Sequence, residues 1–270
     1  MGVQPRIELF SIGTELALGR IQDTNSYWMA QQISQMGGEP RRITVLVDDL
    51  EEIVAALRGA VERGTTIAVT TGGLGPTPDD LTVAALAKLV GCETVIHEPT
   101  LQEFLKRRGI ARREDATPNL LKMATVPAVA QVYHNPAGWA PCIRVDWSGC
   151  TFLTLPGPPR EVMPLFTLHV APFIAARLPG KTAAVRVAVA LPESELAGPM
   201  QEVMRQFPGC YLKAYVALRA GAAHPLPLDI VARGEDEGSA RDTLQQAMAH
   251  LAALVQQKGQ TLELWEHAGG

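Results

Sequence analysis

The chain has 270 residues, long for one domain and comfortable for two. Hydrophobic residues make up 47% and charged residues 19%, which excludes wholesale disorder and suits a folded soluble protein. The formal net charge of −4, from 24 basic and 28 acidic residues, gives no general reason to expect a nucleic-acid partner. The first residues, Met1 to Glu8, carry no secretory apolar core, and Arg6 stands where myristoylation of Gly2 would want Ser or Thr. No run approaches the roughly 18 apolar residues of a membrane span. Cys92, Cys142, Cys150 and Cys210 form no C-x-x-C pair, so neither a zinc knuckle nor a disulfide scaffold is indicated. A cytoplasmic protein with reduced thiols is expected.

In chain order, Arg6 to Ile12 reads as a mostly buried strand opening into Gly13-Thr-Glu-Leu. Gln22-Asp-Thr-Asn25 is a helix-start signature, and the helix behind it is expected to bury Tyr27, Ala30, Ile33 and the Met36 side before Gly37-Gly38. A strand from Arg41 to Val47 ends at Asp48-Asp49. A helix from Leu50 to Arg63 carries Ile53, Val54, Leu57 and Val61 on one face. A third strand, Thr66 to Thr70, leads into Thr71-Gly-Gly-Leu-Gly-Pro-Thr-Pro-Asp-Asp-Leu-Thr82, with an amphipathic segment from Leu81 onward. This alternation predicts a parallel sheet covered on both faces. Ligands bind such sheets beyond the carboxyl ends of the strands, which gathers the loops Gly13 to Asn25, Asp48-Asp49 and Gly72 to Asp80.

The glycine loop has the composition of a phosphate site. Glycine lets backbone N–H groups approach an anion, and the following helix N-terminus adds partial positive charge. Two carboxylates, Asp79 and Asp80, would repel a bare phosphate, so a cation between them and the ligand is expected. Mg²⁺, which takes one or two carboxylates plus phosphate oxygens, is the first choice, with Co²⁺ or Mn²⁺ as substitutes. The alternative reading is a tight turn in which Asp79 or Asp80 caps the next helix.

Further along, Thr94 to His97 is a strand candidate and Thr100 to Arg108 a helix. Arg107, Arg108, Arg112 and Arg113 form either a solvated helix end or an anion contact. Pro118 to Ala124 reads as a short helix, and Val126 to Asp146 as loop and strand. Cys150 to Leu155 is a strand that runs into Pro156-Gly-Pro-Pro-Arg160 and a helix from Glu161 to Ala176. That second Gly/Pro loop belongs on the same rim, presenting Gly157 and Arg160 from a proline-stiffened backbone, or serves as a rigid helix start. After a linker at Leu178 to Lys181 come a strand (Val185–Leu191), a helix (Glu193–Phe207), two paired strands (Tyr211–Ala220 and Leu226–Ala232) and a helix (Glu235–Gln257). The order resembles a K-homology fold without its clamping Gly-x-x-Gly loop, so a structural or oligomerising module is expected rather than an RNA binder.

Several motifs carry a family resemblance: Gly13-Thr-Glu-Leu-Ala-Leu-Gly19, Asp23-Thr-Asn25, Thr71 to Thr82, Thr117-Pro-Asn119 and Leu155-Pro-Gly-Pro-Pro-Arg-Glu161. In this combination and order the chain resembles the N-terminal region of the CinA (competence-damage-inducible protein A) family, itself similar to the MogA/MoaB fold. The resemblance implies an α/β domain over residues 1–177 with a three-layer, parallel-rich sheet. It implies a small α+β, K-homology-like module over 183–260 and a tail over 261–270. Many family members continue into an amidohydrolase domain, whose activity is not expected of this chain.

Two chemistries are implied by the resemblance. CinA-type domains hydrolyse ADP-ribose with a divalent metal, and MogA-type domains bind molybdopterin. The expected function is a metal-dependent nucleotide pyrophosphatase; the alternative is a molybdopterin- or nucleotide-binding protein without turnover. Asp48 and Asp80 fall where the fold places its functional acids; with the adjacent Asp79 they are expected to hold the metal directly or through water, and Glu15 to orient that water. Ligand contacts are expected from Gly13, Thr14, Asp23, Asn25, Gly72, Gly73, Leu74, Gly75, Thr82, Asn119, Pro156, Gly157, Pro158 and Arg160. A small phosphate-bearing ligand and a homo-oligomer are the expected partners. The sequence departs from the family at Trp139, where a small hydroxyl is usual, and at Cys142, where glycine is usual. Leu120, Leu121 and Met123 replace hydrogen-bonding side chains.

Overall fold

The computed structural model describes residues 4–219 and 224–265. The chain divides into two units, the first holding residues 4–34 and 38–178 and the second residues 35–37, 179–219 and 224–265, both counted over described residues.

The first unit begins with β1 (Ile7–Ile12), a one-turn helix α1 (Thr14–Ala17) and α2 (Thr24–Gln35). It continues through β2 (Pro40–Leu46), α3 (Leu50–Glu62), β3 (Ile67–Thr71) and α4 (Thr82–Val90). Then follow β4 (Thr94–Ile96), α5 (Glu98–Arg108), α6 (Pro118–Met123) and β5 (Thr125–Pro127). The last part is β6 (Gln131–Tyr133), β7 (Cys142–Trp147), β8 (Cys150–Leu155), α7 (Pro159–Leu165) and α8 (Ala171–Ala175).

Six strands form one sheet in the order β2-β1-β3-β8-β7-β6. The first four run parallel, and β7 and β6 close the edge antiparallel. Every residue of β1, β3 and β8 is buried, so both faces of the sheet are covered. Phe10, Ala68 and Phe152 pack with Ile53 and Leu57 of α3 and with Leu86 and Leu89 of α4. The other face falls to α2, α7 and α8, whose Met29, Ile33, Val162, Leu165 and Ile174 are buried. β4 and β5 pair separately as a small antiparallel ribbon.

Two sequence expectations change here. The buried face of α2 is Ser26, Met29 and Ile33, while Tyr27 is 65% exposed; the three-then-four spacing starts one residue earlier than read. The helix expected from Glu161 to Ala176 is interrupted by a π-turn at Phe166–Val170. Pro164 lies inside α7 and Pro172 opens α8, and proline cannot donate to the helical ladder.

The second unit runs β9 (Lys181–Val189), α9 (Glu193–Gln206), β10 (Cys210–Ala214), β11 (Leu226–Gly234), α10 (Glu237–Gln256) and β12 (Leu262–Leu264). Its sheet has the order β10-β11-β9-β12, with every pair antiparallel. Each helix therefore joins two strands that leave room for a third between them, a split β-α-β arrangement within the expected small α+β module. The stretch 261–270 was expected as a tail; Leu262–Leu264 instead pairs with Val187 to Val189 of β9. Residues 266–270, and Ala220 at the end of the expected second strand, lie outside the described residues. Val187, Val189, Leu212, Leu228, Ile230 and Leu251 form this unit's own core.

Candidate functional site

The four parallel strands end on one rim, and hydrogen bonds lock their loops together. Beyond β1, the Gly13 N–H donates to Leu46 O at 2.9 Å, extending the ladder by one step. Thr14 N donates to Asp48 Oδ2 at 2.7 Å, and Asp48 N donates to Thr14 Oγ1 at 3.1 Å. This reciprocal pair fastens the first loop to the second. The neighbouring Asp49 caps α3 by accepting from Glu51 N and Glu52 N.

The glycine loop after β3 is held against its neighbours at close quarters. Gly72 has φ +95°, and a Cβ there would stand 2.1 Å from Ile12 O. Gly73 has φ +67°, and its Cβ would meet Thr82 Oγ1 at 2.1 Å. Buried Thr82 donates its hydroxyl to Gly72 O at 2.8 Å, and its N–H to Gly73 O at 3.2 Å. Asp80 folds back into the loop, its Oδ2 accepting from Thr77 N at 2.8 Å and Thr77 Oγ1 at 2.6 Å. Neither aspartate caps α4, whose N-cap is Leu81 with no side-chain bond. The Thr77 hydroxyl, the backbone N–H of Asp79 and the positive charge of Lys122 hold the Asp79 carboxyl below the usual carboxylate range. Asp79 thus stays ionised at neutral pH, beside a lysine that also donates to Thr77 O.

The loop after β8 lies directly beside this one. A Cβ on Gly157 would have Gly72 Cα as its nearest contact, at 3.7 Å. Asn25 Nδ2 donates to Gly157 O at 2.7 Å and so ties the first loop to the last. Asp23 accepts from Ser26 N at 3.0 Å and caps α2.

Between these loops opens a cavity of about 350 Å³. Its walls include Gly13, Glu15, Asp48, Gly72, Gly73, Leu74, Gly75, Asp79, Asp80, Pro156, Gly157 and Pro158, all singled out in the sequence. Thr14, Asp23, Asn25 and Thr82 do not line it; they hold the loops that do. Asn119 and Arg160 are exposed and outside the lining, so their expected ligand contacts are not formed by this cavity. A second cavity of about 290 Å³ shares Gly73, Leu74, Gly75, Asp80 and Met123 with the first.

The site residues expected from the sequence did not include four of the walls: Ile12, Pro76, Ala140 and Glu161. Glu161 is only 6% exposed and accepts from Asn135 Nδ2 at 2.7 Å. It is the last residue of the Pro-Gly-Pro-Pro-Arg-Glu motif, so a signal was present. Its partner Asn135, 26 positions away, was not legible as one. Of the family departures, Trp139 and Met123 line the cavity. Leu120 instead packs with Leu101, Phe104, Leu105 and Ala124, and Leu121 joins that cluster. Cys142 is buried in β7 with its thiol pushed up to about 12 by burial, which makes it inert as a nucleophile.

The basic cluster is internally engaged. Arg107 pairs with Glu103 and donates to Gly138 O, Arg112 pairs with Asp115 at 2.8 Å, and Arg113 pairs with Glu98 at 2.6 Å. Among the described residues, no group of three or more His, Cys, Asp or Glu side chains is placed to hold a metal by protein ligands alone. Nor is any described helix long and apolar enough to cross a membrane.

Comparison with known proteins places this geometry. Residues 8–176 match the family described as "Probable molybdopterin binding domain". A protein of Pyrobaculum calidifontis is 34% identical over 256 residues, covering 94% of this chain and 97% of the relative. A CinA-like protein of Kosmotoga olearia is 40% identical over 169 residues, which is 63% of this chain and 40% of that one. The crystal structure of a CinA protein of unknown function from Thermoplasma acidophilum superposes with a TM-score of 0.59 at 35% identity, covering 63% of this chain and 98% of that one. The chain belongs to the probable molybdopterin-binding domain family, and its first unit is a CinA-type N-terminal domain with the MogA/MoaB-like α/β fold.

Proposed function

We propose that the cavity binds and hydrolyses a pyrophosphate-bridged nucleotide of the ADP-ribose type, with Mg²⁺ or a similar divalent ion. The observation behind this reading is the close approach of two glycine turns, near enough that a Cβ on Gly157 would stand 3.7 Å from Gly72 Cα, in a cavity that also holds Asp48 and Asp79. Backbone N–H groups of Gly72, Gly73, Gly75 and Gly157 would bind the bridging phosphates. Asp79, ionised and fully exposed, and Asp48 suit a cation completed by phosphate oxygens, which needs only one or two carboxylates. Such an ion, when bound, neutralises charge and acidifies a water. Asp80 shapes the loop through Thr77 and would hold the cation directly or through water. Glu15, also in the lining, would orient an attacking water by accepting its hydrogen bond. Release of AMP from ADP-ribose with Mg²⁺ or Co²⁺ tests the reading, comparing the parent with Asp79→Asn. Turnover is expected to fall at least about tenfold, and equal turnover rejects the assignment.

Met123 and Trp139 in the lining favour a second reading, a binder of molybdopterin or a nucleotide without turnover. The family description speaks of molybdopterin, which presents a phosphate as well. Calorimetric binding of a pterin phosphate, with no hydrolysis of dinucleotides, would select it.

A further inference from the structure

The loop Asn135 to Pro141 supplies Trp139 and Ala140 to the cavity wall. It is held from three sides. Asn135 Nδ2 donates to Ala140 O at 2.8 Å and to Glu161 Oε2 at 2.7 Å, and Asn135 Oδ1 accepts from Ala137 N at 2.9 Å. Arg107 reaches across from α5 to Gly138 O and to Asn135 O, the latter at 3.3 Å. Gly138 sits so tightly on Glu161 that a Cβ would fall 1.9 Å from its carboxyl carbon. A loop fixed this way presents its next residue, Trp139, in one place.

The indole is fixed as well. Phe104 meets it edge-on, with centroids 5.3 Å apart. The guanidinium carbons of Arg108 and Arg107 lie 4.9 and 5.6 Å from its centroid. Phe104, Arg107 and Arg108 are all outside the cavity lining while Trp139 belongs to it, so α5 backs a residue that borders the cavity. A large rigid aromatic wall that loses little conformational freedom on binding is suited to stacking.

We infer that Trp139 is the specificity-determining residue of the site, a stacking platform for the planar heterocycle of a ligand whose phosphates sit on the Gly72 and Gly157 turns. The inference rests on the phosphate reading above for the ligand's other end. It assigns the ligand class as a planar nitrogen heterocycle, purine or pterin, carrying a phosphate or pyrophosphate. Ring-free sugar phosphates and inorganic pyrophosphate lose the stacking contact and bind more weakly.

The test is calorimetry of the full chain with ADP, neopterin, adenosine and inorganic pyrophosphate, each with Mg²⁺, for the parent, Trp139→Ala and Trp139→Phe. The parent should bind ADP more tightly than pyrophosphate, by about ten- to a hundredfold, the range of one base–aromatic contact. Trp139→Ala should collapse that ratio towards one, and Trp139→Phe should restore part of it. Circular dichroism of both variants checks folding, and the fluorescence difference between the parent and Trp139→Phe isolates quenching of this indole. Adenosine and neopterin separate the purine from the pterin. An unchanged ADP-to-pyrophosphate ratio in folded Trp139→Ala, or no quenching by any ring ligand, overturns the platform and leaves the phosphate reading standing. Quenching by adenosine without pyrophosphate binding does the reverse. A parent that binds none of the four overturns both.

Discussion

At Gly72 a single hydrogen in place of a side chain decides whether the rim can form. Its φ of +95° is a left-handed conformation, and the nearest atom to a Cβ would be Ile12 O at 2.1 Å. Gly72→Ala must both strain the backbone and push β1 away from β3. It is expected to destabilise the protein by about 2–4 kcal/mol in urea unfolding, and a stability equal to the parent's would contradict the close approach. The presence of this glycine turn was legible from the sequence, because glycine clusters between a buried strand and a helix have few other uses. Its supports were not. Thr82 looked like a ligand contact and is a clamp on Gly72 O. Asn25 looked like a ligand or capping residue and instead binds Gly157 O, a partner 132 positions away. Polar side chains announce that they will be hydrogen-bonded, but not to what.

Among the elements, β1 carries one charged residue in an otherwise apolar strand. Glu8 is fully buried near the start of β1, while the candidate site lies beyond its end. Arg63, following α3, donates to it twice, at 3.1 and 2.7 Å, and Thr65 donates at 2.7 Å. Burial alone would raise this carboxyl; the hydrogen bonds from Arg63 and Thr65, with the charges of Arg63 and Arg42, bring it below its ordinary 4.5. Because the folded value lies below the unfolded one, the stabilisation is complete above about pH 4.5 and is lost as pH falls through the folded value. Glu8→Gln should therefore cost about 1–3 kcal/mol at neutral pH, discounted for the partly exposed Arg63. The gap from the parent should narrow below about pH 4.5. A gap that stays constant from pH 7 down to pH 3 would contradict the ionised pair. Helix and strand positions followed hydrophobic spacing closely for α3, β3 and β8. They failed where spacing carried less information: the register of α2, the proline-interrupted run from α7 to α8, and the three-residue β12.

For the whole molecule, function rests on topology. Four parallel strands, β2-β1-β3-β8, deliver four loops to one edge of the sheet, and those loops come from positions spread over residues 13 to 161. The alternation of strand and helix made that convergence predictable before any coordinates. The second unit was less legible, because a β-α-β-β-α order suits several small folds, and only the pairing of β12 with β9 identifies the interlocked split β-α-β arrangement. The most direct measurement is calorimetric titration of ADP-ribose with Mg²⁺ into the parent and into Gly157→Val. Gly157 has an ordinary backbone conformation and only one neighbour within reach of an added Cβ, Gly72 Cα at 3.7 Å, so the larger side chain fills the gap between the turns without backbone strain. The parent should bind while Gly157→Val loses at least about tenfold in affinity with its thermal midpoint within a few degrees of the parent's. Equal affinity in the two proteins would contradict the convergence of both turns on one anion.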